Sequence, residues 1–263
     1  MSNDLPLLWH IPLSHFNEKV RWALDFKSIP HRRSRVGGNY LYKAWRATGH
    51  GTLPILFLDG KPIGDSTAII AALEQRTPEP ALYPNDEAQR RRALELEDYF
   101  DEVLGPSARA AIITPLFRDD PDLALRVLTT GMPDEATSKL RRLGRIFPVF
   151  YRFRHNIKEK RLQQDRANVA GALDRIAREL QPSGYLVGET FSVADLTAAA
   201  LLAPLLQPPE LQYPLAVTLP ASLRQYLDEV ARHPAAQWTL EMFRRHRGRS
   251  AEVRRNPAAA AAS

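Results

Sequence analysis

The stretch that decides the fold is Leu53-Pro54-Ile55-Leu56-Phe57-Leu58-Asp59-Gly60-Lys61-Pro62-Ile63-Gly64-Asp65-Ser66-Thr67-Ala68-Ile69. Residues 53–58 form an apolar run of strand length, Asp59-Gly60 is a turn pair, and residues 61–63 return as the hairpin partner. Pro54 stands at the start of its strand, where a missing N–H is tolerated. Asp65-Ser66 then caps a helix whose apolar positions are Ala68, Ile69, Ala72 and Leu73.

Upstream, residues 7–11 read as a strand ended by Pro12. Ser14 follows at or next to the N-cap of a helix with apolar Phe16, Val20, Ala23 and Leu24 and a polar side of Asn17, Glu18, Lys19 and Arg21. Residues 32–36 are a weaker strand, and a short helix runs through Trp45. The order strand, helix, strand, helix, strand, strand, helix is complete by about Thr77. Pro78, Pro80, Pro84, Asn85 and Asp86 then mark a linker.

Downstream the pattern is helical. Residues 86–104 and 160–180 are long and amphipathic, and 193–206 is nearly all apolar, as expected of a central helix. Residues 115–133 are broken by proline and resist assignment. Phe191-Ser192-Val193-Ala194-Asp195-Leu196 reads as a capping box, Ser192 at the N-cap and Asp195 at N3, with Phe191 and Leu196 as its staple. The expected division is 1–78, a linker at 79–86, an all-helical part over 87–250, and a disordered tail at 251–263.

Composition narrows the chemistry. The 263 residues include no cysteine, which removes disulfides, thiolate metal sites and cysteine nucleophiles. No apolar run reaches the ~20 residues of a membrane span, and the first residues lack a basic n-region, so no membrane role and a cytoplasmic location are expected. The net charge of +6 comes with basic clusters at 27–46, 139–166 and 244–255. Without a nucleic-acid motif beside them, these read as solvated faces and no nucleic-acid partner is expected.

Three segments of the first part and one of the second resemble cytosolic glutathione transferases: Ile11-Pro12-Leu13-Ser14-His15-Phe16-Asn17-Glu18-Lys19-Val20-Arg21, Gly51-Thr52-Leu53-Pro54-Ile55-Leu56, Gly64-Asp65-Ser66-Thr67-Ala68-Ile69, and the box at 191–196. The resemblance is strongest over 7–77 and 184–206 and poor over 110–165. It implies an α/β thioredoxin-like N-terminal domain followed by an all-α helical domain, serine-type chemistry and glutathione as co-substrate. It further implies that Ser14 donates to the thiolate, that Leu53 before a cis Pro54 pairs with the cysteinyl backbone, and that Asp65 and Ser66 hold the γ-glutamyl end. His50, Thr52, Lys43 and Arg46 are the choices for the glycyl carboxylate. Read as bare sequence, Ser14 and Asp65-Ser66 are helix caps. His15 stands where the family often has proline and reads as an exposed first-turn residue.

Tyr99, Leu104, Ile112, Phe117, Phe147 and Tyr151 are candidates for the pocket of the second substrate. The activity expected is conjugation of the thiol to a small-molecule electrophile by a homodimer, with 86–104 at the interface. The alternatives are a glutathione-dependent isomerase or dehalogenase, or a non-catalytic binding module on the same fold.

Overall fold

In the computed structural model of the chain the described residues are 5–36, 39–130, 146–154 and 158–254. Four short strands form one mixed sheet in the order β2-β1-β3-β4: β1 (Leu7–His10), β2 (Arg32–Arg35), β3 (Ile55–Leu58) and β4 (Lys61–Gly64). β1 runs parallel to β2 and antiparallel to β3, and β3 pairs antiparallel with β4. The β3–β4 turn has positive φ at both Asp59 and Gly60, the backbone a two-residue hairpin of this hand requires. With α1 (His15–Phe26), α2 (Tyr40–Thr48) and α3 (Ser66–Arg76) this completes the thioredoxin-like half.

The helical half starts with α4 (Glu87–Tyr99), which continues through a π-helical turn (Phe100–Leu104) into α5 (Gly105–Asp119). Residues 115–130 of the proline-broken stretch resolve into the end of α5, which contains Pro115, and α6 (Pro121–Thr129), while 131–133 lie outside the described residues. Asp120 caps α6 by accepting from the Leu123 N–H, with Pro121 at the first helical position where no donor is lost. Next come α7 (Ile146–Arg154), α8 (Leu162–Glu179), α9 (Val193–Leu206), α10 (Ala221–Ala231) and α11 (Pro234–His246). Of the fourteen residues of α9, twelve are buried, which explains why its sequence is apolar on every side. Its capping box closes on Asp195, whose Oδ2 accepts from the Ser192 N–H and hydroxyl and whose Oδ1 accepts from the Leu186 N–H.

α1 packs against α3 and against α9, and this corrects one sequence expectation. Its polar side is not solvated: Asn17, Glu18, Lys19, Arg21, Asp25 and Lys27 are all buried. Lys19 meets Glu97 at 2.8 Å and Asp101 at 2.5 Å, and Lys27 meets Glu74 at 2.6 Å. Nor is the basic cluster at 27–46 wholly a surface feature, because Arg33 pairs with Asp25 at 3.0 Å inside the protein. The start of the expected disordered tail is also held. The Val253 N–H donates to the His31 carbonyl at 2.8 Å, and the Ala251 N–H donates to Asp25 at 2.9 Å. Residues 255–263 of that tail lie outside the described residues.

Candidate active site

A cavity of about 550 Å³ opens between the halves. Its floor is the turn before α1, and three contacts fix that turn. Asn17 Oδ1 accepts from the Ile11 N–H at 3.3 Å, and Arg21 donates to the Ile11 and Pro12 carbonyls at 3.3 and 2.9 Å. Ser14 therefore sits at the N-cap of α1 with extended backbone (φ −77°, ψ 126°), yet its hydroxyl makes no cap bond. A hydroxyl at a helix start, not spent on the helix, faces the positive end of the helix dipole and can donate to an anion.

The second wall comes from the segment between residues 51 and 66. Leu53 precedes the ladder, which begins at Ile55, and the Leu53–Pro54 peptide is cis. Asp65 has φ 70° and caps α3, its Oδ1 accepting from the Thr67 and Ala68 N–H groups at 3.0 and 3.1 Å. Ser66 is thus the first helical residue and not the cap itself; it is 4% exposed. Ser14, Thr52, Leu53, Pro54, Asp65 and Ser66 all line the cavity. His50, Lys43 and Arg46 are exposed and do not line it.

The helical half supplies the opposite wall. Ile112 and Tyr151 line it, whereas Tyr99, Leu104 and Phe117 do not; the Phe147 side chain lies outside the described residues. Burial pushes the Tyr151 hydroxyl up to about 12, against the downward pull of Arg109, so it stays a neutral phenol. His15, expected to be exposed, is 6% exposed and borders the cavity. Burial and then the Arg109 charge push its imidazole down to about 3, while a hydrogen bond to the Gly105 backbone pulls the other way. It is neutral at any working pH and keeps an unpartnered Nε2.

Sequence reasoning missed Tyr40, Arg109 and Arg154 on this cavity. Arg154, from α7, donates to the Gly51 carbonyl and so brings a guanidinium to the rim beside Thr52. Arg109 had one visible signal, as the lone charge in the run Ala108-Arg109-Ala110-Ala111-Ile112-Ile113.

Comparison with known proteins agrees with this architecture. Residues 8–81 match the glutathione S-transferase N-terminal domain and residues 159–237 the glutathione S-transferase C-terminal domain. The chain belongs to the glutathione S-transferase family. It is 24% identical over 200 residues to FtsZ-localized protein A of Caulobacter vibrioides, covering 74% of this chain and 75% of that protein. It is 39% identical over 72 residues to maleylacetoacetate isomerase of Pseudomonas aeruginosa, covering 27% of this chain and only 34% of that enzyme. Among solved structures, a glutathione S-transferase from Methylobacillus flagellatus KT with glutathione bound superposes with a TM-score of 0.61 at 21% identity, over 92% of this chain and 96% of that one. No helix among the described residues is long and apolar enough to cross a membrane.

Proposed function

We propose that the chain is a glutathione-dependent transferase of the serine type, in which Ser14 steadies the glutathione thiolate for attack on a small electrophile. The observation that carries this reading is the Ser14 hydroxyl, held in a cavity at a helix start and unused by the helix. Leu53 offers backbone groups to the cysteinyl unit, Ser66 and Asp65 receive the γ-glutamyl carboxylate and ammonium, and Thr52 with Arg154 receives the glycyl carboxylate. His50, exposed next to Gly51 and outside the cavity lining, is the weaker choice for that role. In the reaction the thiolate sulfur supplies the electron pair of the new S–C bond, and the leaving group departs with the pair of the bond it gives up. The acting form is a homodimer with α4 at its interface.

Calorimetric titration with glutathione, followed by conjugation of chlorodinitrobenzene, tests the reading. Saturable binding and formation of the thioether support it. Absence of glutathione binding overturns it and favours a non-catalytic binding module. A second reading, glutathione-dependent isomerisation, draws support from the 39% identity to maleylacetoacetate isomerase, which lies in a segment of domain length. An isomerase regenerates its thiol, so stoichiometric loss of glutathione during turnover separates the two.

A further inference from the structure

Five cations with buried side chains meet a carboxylate within 3.0 Å: Lys19, Arg21, Lys27, Arg33 and Arg247. Arg109 does not. It projects from α5 into the cavity wall, its Nε is shut off from solvent with no hydrogen-bond partner, and no acid among the described residues pairs with it. Drawing part of a guanidinium out of water without a counter-charge costs free energy. An arrangement of this kind is maintained where an anion completes it, and Arg offers a planar fork matched to a carboxylate.

The surroundings fit a carboxylate on an otherwise apolar body. Tyr40 and Tyr151 lie within the electrostatic reach of Arg109 and line the same cavity, with Ile112, Ile113 and Val127 beside them. The thiol wall of Ser14, Leu53 and Ser66 belongs to the same cavity. Arg154 already stands at the rim beside Thr52, so Arg109 on the helical wall is available to a second molecule.

We propose that the second substrate of this site is an electrophile bearing a carboxylate, which Arg109 binds while the apolar wall holds the reacting carbon near the thiol. The proposal rests on the thiol-transfer reading above and names its substrate class. With a chlorodinitrobenzoate the step balances: the thiolate forms the S–C bond, the C–Cl bond breaks, and chloride leaves with the electron pair.

The test compares chlorodinitrobenzoate with its neutral methyl ester as substrates for wild type, Arg109→Met and Arg109→Lys. A hydrogen-bonded ion pair of this type corresponds to about 10- to 100-fold in kcat/KM. Arg109→Met is expected to lower the acid-to-ester preference by that factor, Arg109→Lys to keep part of it, and the KM for glutathione to move little. An unchanged preference, or a loss confined to the KM for glutathione, overturns the proposal; the latter would assign Arg109 to the thiol. Titration with unreactive dinitrobenzoate keeps the test independent of turnover. Binding by wild type that weakens in Arg109→Met upholds the carboxylate site even if conjugation fails, and equal binding by both overturns it.

Discussion

Arg247 Nε donates to Glu18 Oε1, tying the end of the helical half to the first turn of α1, which carries the site serine at its N-cap. The same guanidinium donates to Asp25 Oδ2 at 2.9 Å, and Trp22 Nε1 donates to the His246 carbonyl at 2.9 Å. Glu18 in turn receives Arg21 at 2.7 Å, and Arg21 holds the Pro12 carbonyl. A continuous line of charge-assisted hydrogen bonds thus runs from residue 247 to the turn that presents Ser14.

Breaking that line at Arg247 takes one cation from each of two buried carboxylates, leaving Glu18 with Arg21 and Asp25 with Arg33. Arg247→Met is expected to cost about 3–5 kcal/mol in urea unfolding, the range for removing one partner of a buried pair. Burial alone would raise the Glu18 and Asp25 carboxyls, but Arg247 with Arg21 or Arg33 outweighs it and holds both below their ordinary values. A depressed carboxyl stabilises the fold above its unfolded value and loses that stabilisation as pH falls through the folded one. Wild type should therefore weaken below about pH 4, and the gap between wild type and Arg247→Met should narrow there. A gap independent of pH would mean that packing, not charge, holds the segment.

α1 also shows where sequence reading stops. Its apolar spacing and Ser14 at its start are local features and were legible. That Lys19, Glu18 and Asp25 are buried was not, because beside the near partners Arg21 and Arg33 they meet Asp101, Arg247 and Ala251, 82 to 229 residues away. A polar side chain reads as solvated unless its counter-charge is visible, and here tertiary packing supplies it. The same limit hid the helical wall of the cavity: Tyr40, Arg109 and Tyr151 converge from three helices. The facing wall was legible because Leu53, Pro54, Asp65 and Ser66, which line the cavity, fall within one strand–hairpin–helix unit.

Asp195 has the opposite pH signature. Burial raises its carboxyl to about 6, against the pull of the Leu186 and Ser192 donors. The folded state then binds more protons than the unfolded one between about pH 4 and 6, so this group's contribution to stability falls as pH rises through that window. Asp195→Ala leaves the Leu186 and Ser192 N–H groups without acceptors. At about 1–3 kcal/mol for each orphaned group, it should lower stability by about 2–6 kcal/mol near pH 5. Glutathione binding by the folded fraction should be unchanged. A normal melting temperature with lost binding would contradict this structural role.

Gly105 lets the start of α5 approach the Phe16 ring of α1. A Cβ built there would meet Phe16 Cζ at 2.4 Å, a contact that cannot persist without movement. Gly105→Ala should cost about 1–3 kcal/mol, the usual range for overpacking. It should also raise the KM for the electrophile more than that for glutathione, since α5 forms the helical wall. Equal effects on both would show that the displaced element is α1.

Asp65 and Ser66 separate cap from ligand contact. Asp65 Oδ1 is occupied by the Thr67 and Ala68 N–H groups, so Asp65→Asn keeps the capping oxygen and removes only the charge. It should leave stability within about 0.5 kcal/mol of wild type while weakening glutathione binding about tenfold, as expected for loss of a charge-assisted bond to the ammonium. Ser66→Ala, at a position that is not the cap, should act on binding in the same way. Wild-type affinity in both variants, measured by calorimetry, would remove these residues from the site.

Ser14 gives the decisive variant, because its hydroxyl caps nothing and its removal should leave folding almost untouched. A hydrogen bond to a charged group contributes about 1.5–3 kcal/mol. At about 1.36 kcal/mol per pKa unit, that lowers a bound thiol from near 8.5 to about 7. The charged form is the one stabilised, so the benefit is largest below the unassisted thiol value and fades above it. Ser14→Ala should cut conjugation about tenfold or more at pH 6.5, with much of the loss recovered at pH 9 and little change in glutathione affinity. A pH–rate profile superimposable on that of wild type would leave Ser14 as a plain start to α1 and place the thiolate donor elsewhere on the cavity wall.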